Sequence, residues 1–500
     1  MSTSGERVRT SEPRERSGDS GAPASERAGG SGGAKPPSKN EDEFKGYKGR
    51  SRAALQSWGV RVWSDVQVEN DAGSHFEGVI LPRSETLDDL HIVLKLKNGY
   101  NVGLHVDRVK SVVEVGYKEA VYKIPEKEFP RRPTLPSVTL LGTGGTIASR
   151  LDYRTGAVIP AFTPGELYGA VPELADICNL TTKKLFGVFS ENMAQEQYIA
   201  LAKAIGDEIA NGTDGIVIGH GTDTMGHTAA ILSFMVQDSP VPIVLVGSQR
   251  SSDRPSSDAA LNLIHSVTSA AYGEIAEVQI CMFGPTSDRY ALLHRGTRCR
   301  KMHSSYRSTF RTVGDIPLAM VSRDRFTYLN KDYRRRDKAR QVKIDAVYND
   351  RTTILYYYPG MSPDLVDALV EKGYRGIVIA GTGLGHVNKP LYPALRKAIE
   401  KGVHVVMTVQ TLWGYAQMYV YDTGRDLMEL GVVPLDNMLP ETALMKLSWV
   451  LAHTDDHDEV LRMMRTVYSH EITDREPHNG YLIMQGGLPE IEEFILSHWK

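Results

Sequence analysis

Residues 138–149 read VTLLGTGGTIAS, an apolar run of β-formers that passes directly into Gly142, Thr143, Gly144, Gly145 and Thr146. Glycines at the carboxyl end of a strand let the backbone turn tightly, and that end is where open α/β sheets hold their ligands. Thr146, delivered there, is a candidate nucleophile. The rival reading is a dinucleotide-binding G-x-G-x-x-G, which needs Gly or Ala at its sixth position; counted from Gly142 that position holds Ile147. Alone, the turn reads equally well as a structural loop.

Downstream the chain alternates strands and helices. Thr163-Pro164-Gly165-Glu166 forms a capping-box pattern with proline at the first helical position, which predicts a helix to about Val171. Residues 196–211 have the period of an amphipathic helix, and Gly215-Ile-Val-Ile-Gly219 and 241–246 are continuous apolar strands of the kind buried in parallel sheets. The first runs into His220-Gly221-Thr222-Asp223-Thr224 and the second into Gly247-Ser248-Gln249-Arg250, both rich in reactive side chains. The rhythm then repeats. Residues 354–358 read as a strand, Ser362 and Pro363 open a helix that Gly373 ends, and 376–380 form the next strand. A second parallel sheet is expected. The arginine-rich stretch 323–343 between the halves reads as a solvated connection.

Upstream the texture differs. Residues 1–50 are rich in Gly, Ser, Pro, Arg and Glu with few aliphatics, so burial there is too small to offset chain entropy and a disordered tail is expected. Short apolar segments at 60–66, 79–81, 92–96, 100–104 and 109–115 predict a small β-barrel, with Asn98-Gly99 as a hairpin turn. Pro125, Pro130, Pro133 and Pro136 mark a linker after it. The expected fold class is therefore α/β, a small N-terminal β-barrel followed by two α/β domains with parallel sheets. The expected boundaries are 1–50 tail, 51–125 barrel, 126–136 linker, 137–325 first α/β domain, 326–350 linker, 351–455 second α/β domain and 456–500 extension.

Bulk properties exclude several classes. With 58 basic and 61 acidic residues the net charge is −3, which gives no global reason to bind nucleic acid. Cys178, Cys281 and Cys299 are too few for a disulfide framework or a four-ligand zinc site. No apolar run reaches the roughly 18 residues of a membrane span, and no signal-peptide core opens the chain, so a cytoplasmic protein without membrane contact is expected. His453 and His457 stand four apart on an expected helix without a third ligand motif, which favours solvated polarity over a metal site. The run Gly381-Thr-Gly-Leu-Gly385 lacks the lysine of a phosphate loop.

Three motifs together carry a resemblance. Thr146 in TGGTIA, Thr222 and Asp223 in HGTDTM, and Lys301 in RKMHSSYRSTF resemble the two-threonine active site of the bacterial-type L-asparaginase and glutaminase family, over about residues 136–452. The resemblance implies one triad of Thr222, Asp223 and Lys301, and a second set in which Thr146 works with a loop tyrosine, matched here by Tyr153 with Gly156. It also implies that Ser190 and Glu191, with Gly145 and Gly221 beside them, hold the substrate's α-amino and α-carboxylate groups. The chemistry agrees: amide hydrolysis needs a nucleophile, a base for its proton and donors for the oxyanion, and a threonine hydroxyl is inert until a neighbour removes its proton. Lys301 is the candidate base, with Arg295, Arg298 and Arg300 as like charges that would favour its neutral form. Asp223 would orient it.

Through GVILPR and KNGYNVG in the front module and SRLDYRTGAV after the first threonine, the whole chain resembles the D subunits of archaeal glutamyl-tRNA(Gln) amidotransferases. That resemblance implies a glutaminase-type amidohydrolase that releases ammonia from glutamine or asparagine for conversion of Glu-tRNA(Gln) to Gln-tRNA(Gln). It implies a partner, the amidotransferase's E subunit, which binds tRNA(Gln) and ATP with Mg, and a homodimer of this chain within a heterotetramer. No cofactor or metal is expected in this chain. The alternative is a free-standing cytoplasmic L-asparaginase with an added β module.

Overall fold

The computed structural model describes residues 43–44, 46–83, 88–96, 101–117, 131–144, 171–250, 256–322, 325–478 and 480–481, with backbone only for 6–7, 149–151 and 158–160. These divide into a small β unit and a larger α/β unit.

The small unit opens with helix α1 (Gly49–Ser57), followed by strands β1 (Ser64–Asn70), β2 (His75–Ile80), β3 (His91–Leu96), β4 (Asn101–His105) and β5 (Val109–Tyr117). They pair antiparallel in the order β4-β3-β2-β1-β5. A 3-10 turn at Val106–Arg108 joins β4 to β5, which have no ladder between them among the described residues, so hydrogen bonding does not close this sheet. Val60 and Val62 are buried in the approach to β1 and are not part of it. Packing starts ahead of the expected boundary at 51: Tyr47 is buried, its hydroxyl donates to Leu81 O at 2.8 Å and accepts from Val93 N at 3.0 Å, and Phe44 packs beside it. Two aromatic rings anchor a segment whose average composition reads as disorder. Asn98 and Gly99 lie outside the described residues.

The larger unit is built on a nine-stranded sheet. Its strands are β6 (Ser137–Gly142), β7 (Asn179–Lys184), β8 (Gly215–Gly219), β9 (Ile243–Val246), β10 (Val278–Phe283) and β11 (Ala291–Arg295), then, past the hairpin β12 (Cys299–Lys301) and β13 (Phe310–Thr312), β14 (Ala319–Val321) and β15 (Arg325–Tyr328). The two-residue strand Glu6–Arg7 completes one edge, so part of the expected tail joins this sheet. From the other edge the order runs β7-β6-β8-β9-β10, all parallel, then β11, β14 and β15 antiparallel. Chain direction across the sheet therefore reverses at β6, and the crevice outside the carboxyl ends of β6 and β8 is the switch point where such sheets hold ligands. Helices α2 (Gln195–Ala210) and α3 (Met225–Met235) cover one face, whose core includes Ile216 and Ile218, and α4 (Ala259–Tyr272) covers the other, with Val217. Both faces are buried, which explains why β8 reads as unbroken apolar residues.

A second sheet, parallel in the order β16 (Thr352–Tyr356), β17 (Gly376–Gly381), β18 (His404–Val409) and β19 (Val433–Pro434), forms the C-terminal subdomain. Helices α5 (Asp364–Glu371), α6 (Tyr392–Glu400) and α7 (Asp422–Glu429) alternate with these strands. Helix α8 (Pro440–Val450) packs against α3, with Trp449 stacked on Phe234 at 6.0 Å between ring centroids, and one continuous core joins the two subdomains. The expected connection at 326–350 is docked: Arg336 donates to Gly273 O, Asp214 O and Ala270 O, and β15 belongs to the first sheet. The expected extension from 456 is also core, because helix α9 (His457–Arg465) buries Val460, Met463 and Met464. Beyond it Glu471 meets Lys446 at 2.6 Å, both fully buried, and Lys446 Nζ also donates to Met464 O and Thr466 O. Removing one partner of such a pair costs about 3–5 kcal/mol.

Candidate active site

The carboxyl ends of β6 and β8 lie level, Gly142 opposite Gly219. Thr143 locks the two loops together, its N–H and its hydroxyl both donating to Gly219 O at 3.1 and 2.9 Å. Gly144 has φ +126°, and a Cβ there would sit 2.1 Å from Val188 O, so the chain following β6 passes directly against 185–190. Gly145, Thr146 and Tyr153 lie outside the described residues, as does the capping box at 163–166.

Around β8 the site is complete in detail. Lys301, the last residue of β12, donates from Nζ to Thr222 Oγ1 at 2.9 Å and to Asp223 Oδ1 at 2.7 Å. Lys301 is thus brought to the adjacent pair Thr222 and Asp223 from 79 and 78 residues further along the chain. Thr222 is buried with its methyl toward Gly247, where any Cβ would fall 2.8 Å from Thr222 Cγ2. The Lys301 side chain is 12% exposed and that of Asp223 is 69% exposed, so the site opens to solvent on the carboxylate side. The 2.9 Å contact places Lys301 Nζ within reach of the Thr222 hydroxyl proton when the amine is neutral, and its protonated form faces Asp223.

Ser190 approaches from the loop after β7. It is buried, and a Cβ on Gly221 would meet its Cβ at 2.8 Å and its Oγ at 2.9 Å, so only glycine lets the two loops touch. Thr224 Oγ1 donates to Ser190 O at 2.6 Å and fixes that contact. Glu191 follows in the same 3-10 turn (Ser190–Asn192) and is exposed. The Ser190 hydroxyl therefore stands beside the Thr222 loop, with the exposed carboxylate of Glu191 next in sequence, side-chain types suited to an α-amino and α-carboxylate ligand.

The supporting shell was less visible in sequence. His220 is fully buried; its Nδ1–H donates to Gly221 O at 2.7 Å and its Nε2 accepts from Thr228 Oγ1 at 2.9 Å. Burial lowers its pKa to about 4, so it is neutral at neutral pH and serves the loop as a fixed hydrogen-bonding wedge. Asp258, buried before α4, accepts from Gln249 N, Arg250 N and Asn262 Nδ2 and holds the loop after β9. An acidic residue directly preceding an apolar helix was the available signal for it. The arginines expected to bias Lys301 do otherwise. Arg295 pairs with Glu277 at 3.0 Å and Asp315 at 3.2 Å, Arg298 is committed to Asn437 and His470 O, and Arg300 meets Glu441 at 2.7 Å. Each has its own partners, so the like-charge premise does not hold.

His453 bonds Trp449 O and Asp345, and His457 stacks on His404 at 5.4 Å. Among the described residues no group of three or more His, Cys, Asp or Glu could hold a metal, and no helix is long and apolar enough to cross a membrane. Cys178, Cys281 and Cys299 are buried and unpaired as disulfides, and burial raises all three thiols.

Comparison with known proteins agrees with this geometry. Residues 137–334 match the family model "Asparaginase, N-terminal", 351–464 match "Glutaminase/Asparaginase C-terminal domain" and 60–115 match "GatD N-terminal domain". The α/β unit resembles the thermostable L-asparaginase of Thermococcus kodakarensis, with TM-score 0.61 and 29% identity over 67% of this chain and 99% of that one. It also resembles L-asparaginase I of Vibrio cholerae, with TM-score 0.60 and 27% identity over 68% of this chain and all of that one. Two proteins named as the D subunit of glutamyl-tRNA(Gln) amidotransferase match far more of the chain. That of Thermococcus kodakarensis is 50% identical over 83% of this chain and 93% of its own length, and that of Methanopyrus kandleri is 46% identical over 85% and 94%. With the front module included and identity near one half over more than four-fifths of its length, the chain belongs to the family of glutamyl-tRNA(Gln) amidotransferase D subunits.

Proposed function

We propose that the chain is the glutaminase-type subunit of a tRNA-dependent amidotransferase, which hydrolyses the side-chain amide of glutamine or asparagine and passes the ammonia to a partner that amidates Glu-tRNA(Gln). The contact of Lys301 Nζ with both Thr222 Oγ1 and Asp223 Oδ1 carries the reading. Thr222 attacks the amide carbon while Lys301, as the neutral amine, takes its proton and passes it to the leaving ammonia; water then hydrolyses the Thr222 ester to release the acid, and Asp223 balances the lysine while it is protonated. Ser190 and Glu191 hold the amino-acid end of the substrate, with Gly221 keeping the approach open. Thr146, with Tyr153, supplies the second hydroxyl.

Amidating a carboxylate requires its activation, which the partner subunit supplies with ATP and Mg. A homodimer of this chain joined to two such partners, with tRNA(Gln) held mainly by them, is the assembly that this division of labour favours. A free-standing asparaginase accounts for less of the chain, because the asparaginases that resemble it leave about a third unmatched. The test measures glutamate release by the chain alone, then with the partner subunit and Glu-tRNA(Gln), and follows labelled amide nitrogen into Gln-tRNA(Gln). A rise of about 5- to 150-fold on adding both is the usual size of such coupling. Full asparaginase turnover, indifferent to partner and tRNA, would make the independent hydrolase the better reading.

A further inference from the structure

Lys301 ends a strand of only three residues, too short to hold an ammonium still by its own ladder. Two helix starts grip it instead. From the N-terminal subdomain comes the first turn of α3, which begins directly after Thr222-Asp223-Thr224; Gly226 lies against the strand so closely that a Cβ there would be 2.9 Å from Cys299 O. From the C-terminal subdomain come α8 and the residues just before it. Asn437 takes Arg298, Thr442 Oγ1 donates to Thr297 O at 2.8 Å, and Glu441 meets Arg300 Nη1 at 2.7 Å.

The last of these contacts is the one adjacent to the site. Arg300 directly precedes Lys301, and successive strand residues point to opposite faces, so the alternation that sends Lys301 toward Thr222 sends Arg300 toward Glu441. The Arg300 and Glu441 side chains are 28% and 18% exposed, so water screens their attraction only in part. Tyr356 at the end of β16 reaches Glu441 Oε1 at 3.4 Å, and His227 of α3 feels both charges. Among the described residues neither Glu441 Oε2 nor Arg300 Nη1 makes a hydrogen bond, so the two groups meet as an ion pair and not as part of a hydrogen-bonded network. The first helical turn is also where a carboxylate is stabilised by the peptide dipoles.

We propose that Glu441, a residue of the C-terminal subdomain far in sequence from the Thr222 loop, is a positioning residue for Lys301, acting through Arg300. The inference rests on the Thr222, Asp223 and Lys301 reading above. It gives the C-terminal subdomain a part in amide hydrolysis without any reacting group of its own.

The test uses the full chain, alone and with its partner subunit, and compares E441Q, E441D, R300E, E441R and the charge-swapped double variant R300E/E441R beside T222A. E441Q is expected to lose kcat by roughly 10- to 10²-fold, the scale on which small misplacements act, while KM for the amide stays within about twofold. E441D should keep more activity than E441Q, and the double swap should exceed both of its single parents. A folded E441Q with unchanged kcat, a loss confined to KM, or a swap no better than its parents would overturn the proposal. If E441Q does not fold, E441D and R300K are read the same way, and unchanged kcat in both overturns it. Activity in T222A would remove the site and this proposal together, whereas an inactive T222A beside a fully active E441Q removes this proposal alone.

Discussion

Two strands of the molecule share nearly one sequence, Gly215-Ile-Val-Ile-Gly219 and Gly376-Ile-Val-Ile-Ala-Gly381, and both are buried throughout. Each leads into a turn with a threonine, yet the turns differ in kind. After β17, Thr382 donates from N and from Oγ1 to His386 O at 3.0 and 3.1 Å, and Gly383 and Gly385 take positive φ to close the turn on itself. After β8, Thr222 Oγ1 accepts from the ammonium of a lysine 79 residues away. A hydroxyl committed to its own turn is a structural group, and one met by a distant cation can become a nucleophile. The strand decides where the threonine stands; the rest of the chain decides what it does.

The sharpest test of that contrast is removal of the reactive pair. T222A or K301M should reduce glutamate release by at least roughly 10²-fold with little change in melting temperature, since each removes a chemical group and little core volume. Near-normal hydrolysis in either variant would erase the difference between the two turns.

Acid probes the wedge beneath the reactive turn. His220 has a folded pKa depressed from 6.5 to about 4, so the stability it contributes is complete above pH 6.5 and is lost as pH falls toward 4, where the unfolded chain takes up the proton first. The full loss is on the order of 3 kcal/mol at 1.36 kcal/mol per unit. His404, also lowered to about 4, and His294, lowered to about 3, add to the same slope. Urea midpoints at pH 7 and pH 5 measure it, and H220N should flatten it in part; an unchanged slope would assign the effect to the other histidines that burial lowers, His404, His294, His227 and His470.

Gly221→Ala asks whether loop contact matters for binding. The added methyl must displace Ser190, so KM for the amide should rise by roughly tenfold, about 1.4 kcal/mol, with a smaller fall in kcat. A change in kcat alone would place Ser190 outside substrate binding. The smallest effect is expected at the other turn: T382V should cost about 1 kcal/mol of stability and leave turnover within about twofold. Loss of activity there would show that the closed turn is coupled to the site after all.

Much of this was legible in the chain itself because β8, β9 and β17 are buried on both faces and so carry unbroken apolar runs. The Thr222, Asp223 and Lys301 meeting was legible through motifs at strand ends, not through spacing, since a separation of 79 positions carries no distance information. What sequence could not show is where long charged side chains go. Arg295, Arg298 and Arg300 read as a single block of charge, but the strand alternation and the turn at Gly296–Arg298 send each to a different acid or carbonyl. Averages misled at the edges as well. Tyr47 is one ring in a polar segment, and α9 looks like a solvated tail until Val460, Met463 and Met464 are seen to share the face that packs on the core.

Glu471 follows Lys446 by 25 residues, so a ribosome delivers the ammonium well before the carboxylate that neutralises it. In the complete fold that ammonium stands beside the rings of Phe234 and Tyr468, and a chain ending ahead of Glu471 lacks the carboxylate that neutralises it there. A chain truncated near residue 465 would keep Thr222, Asp223 and Lys301 yet bury Lys446 without its carboxylate, a loss of about 3–5 kcal/mol to the body that carries them.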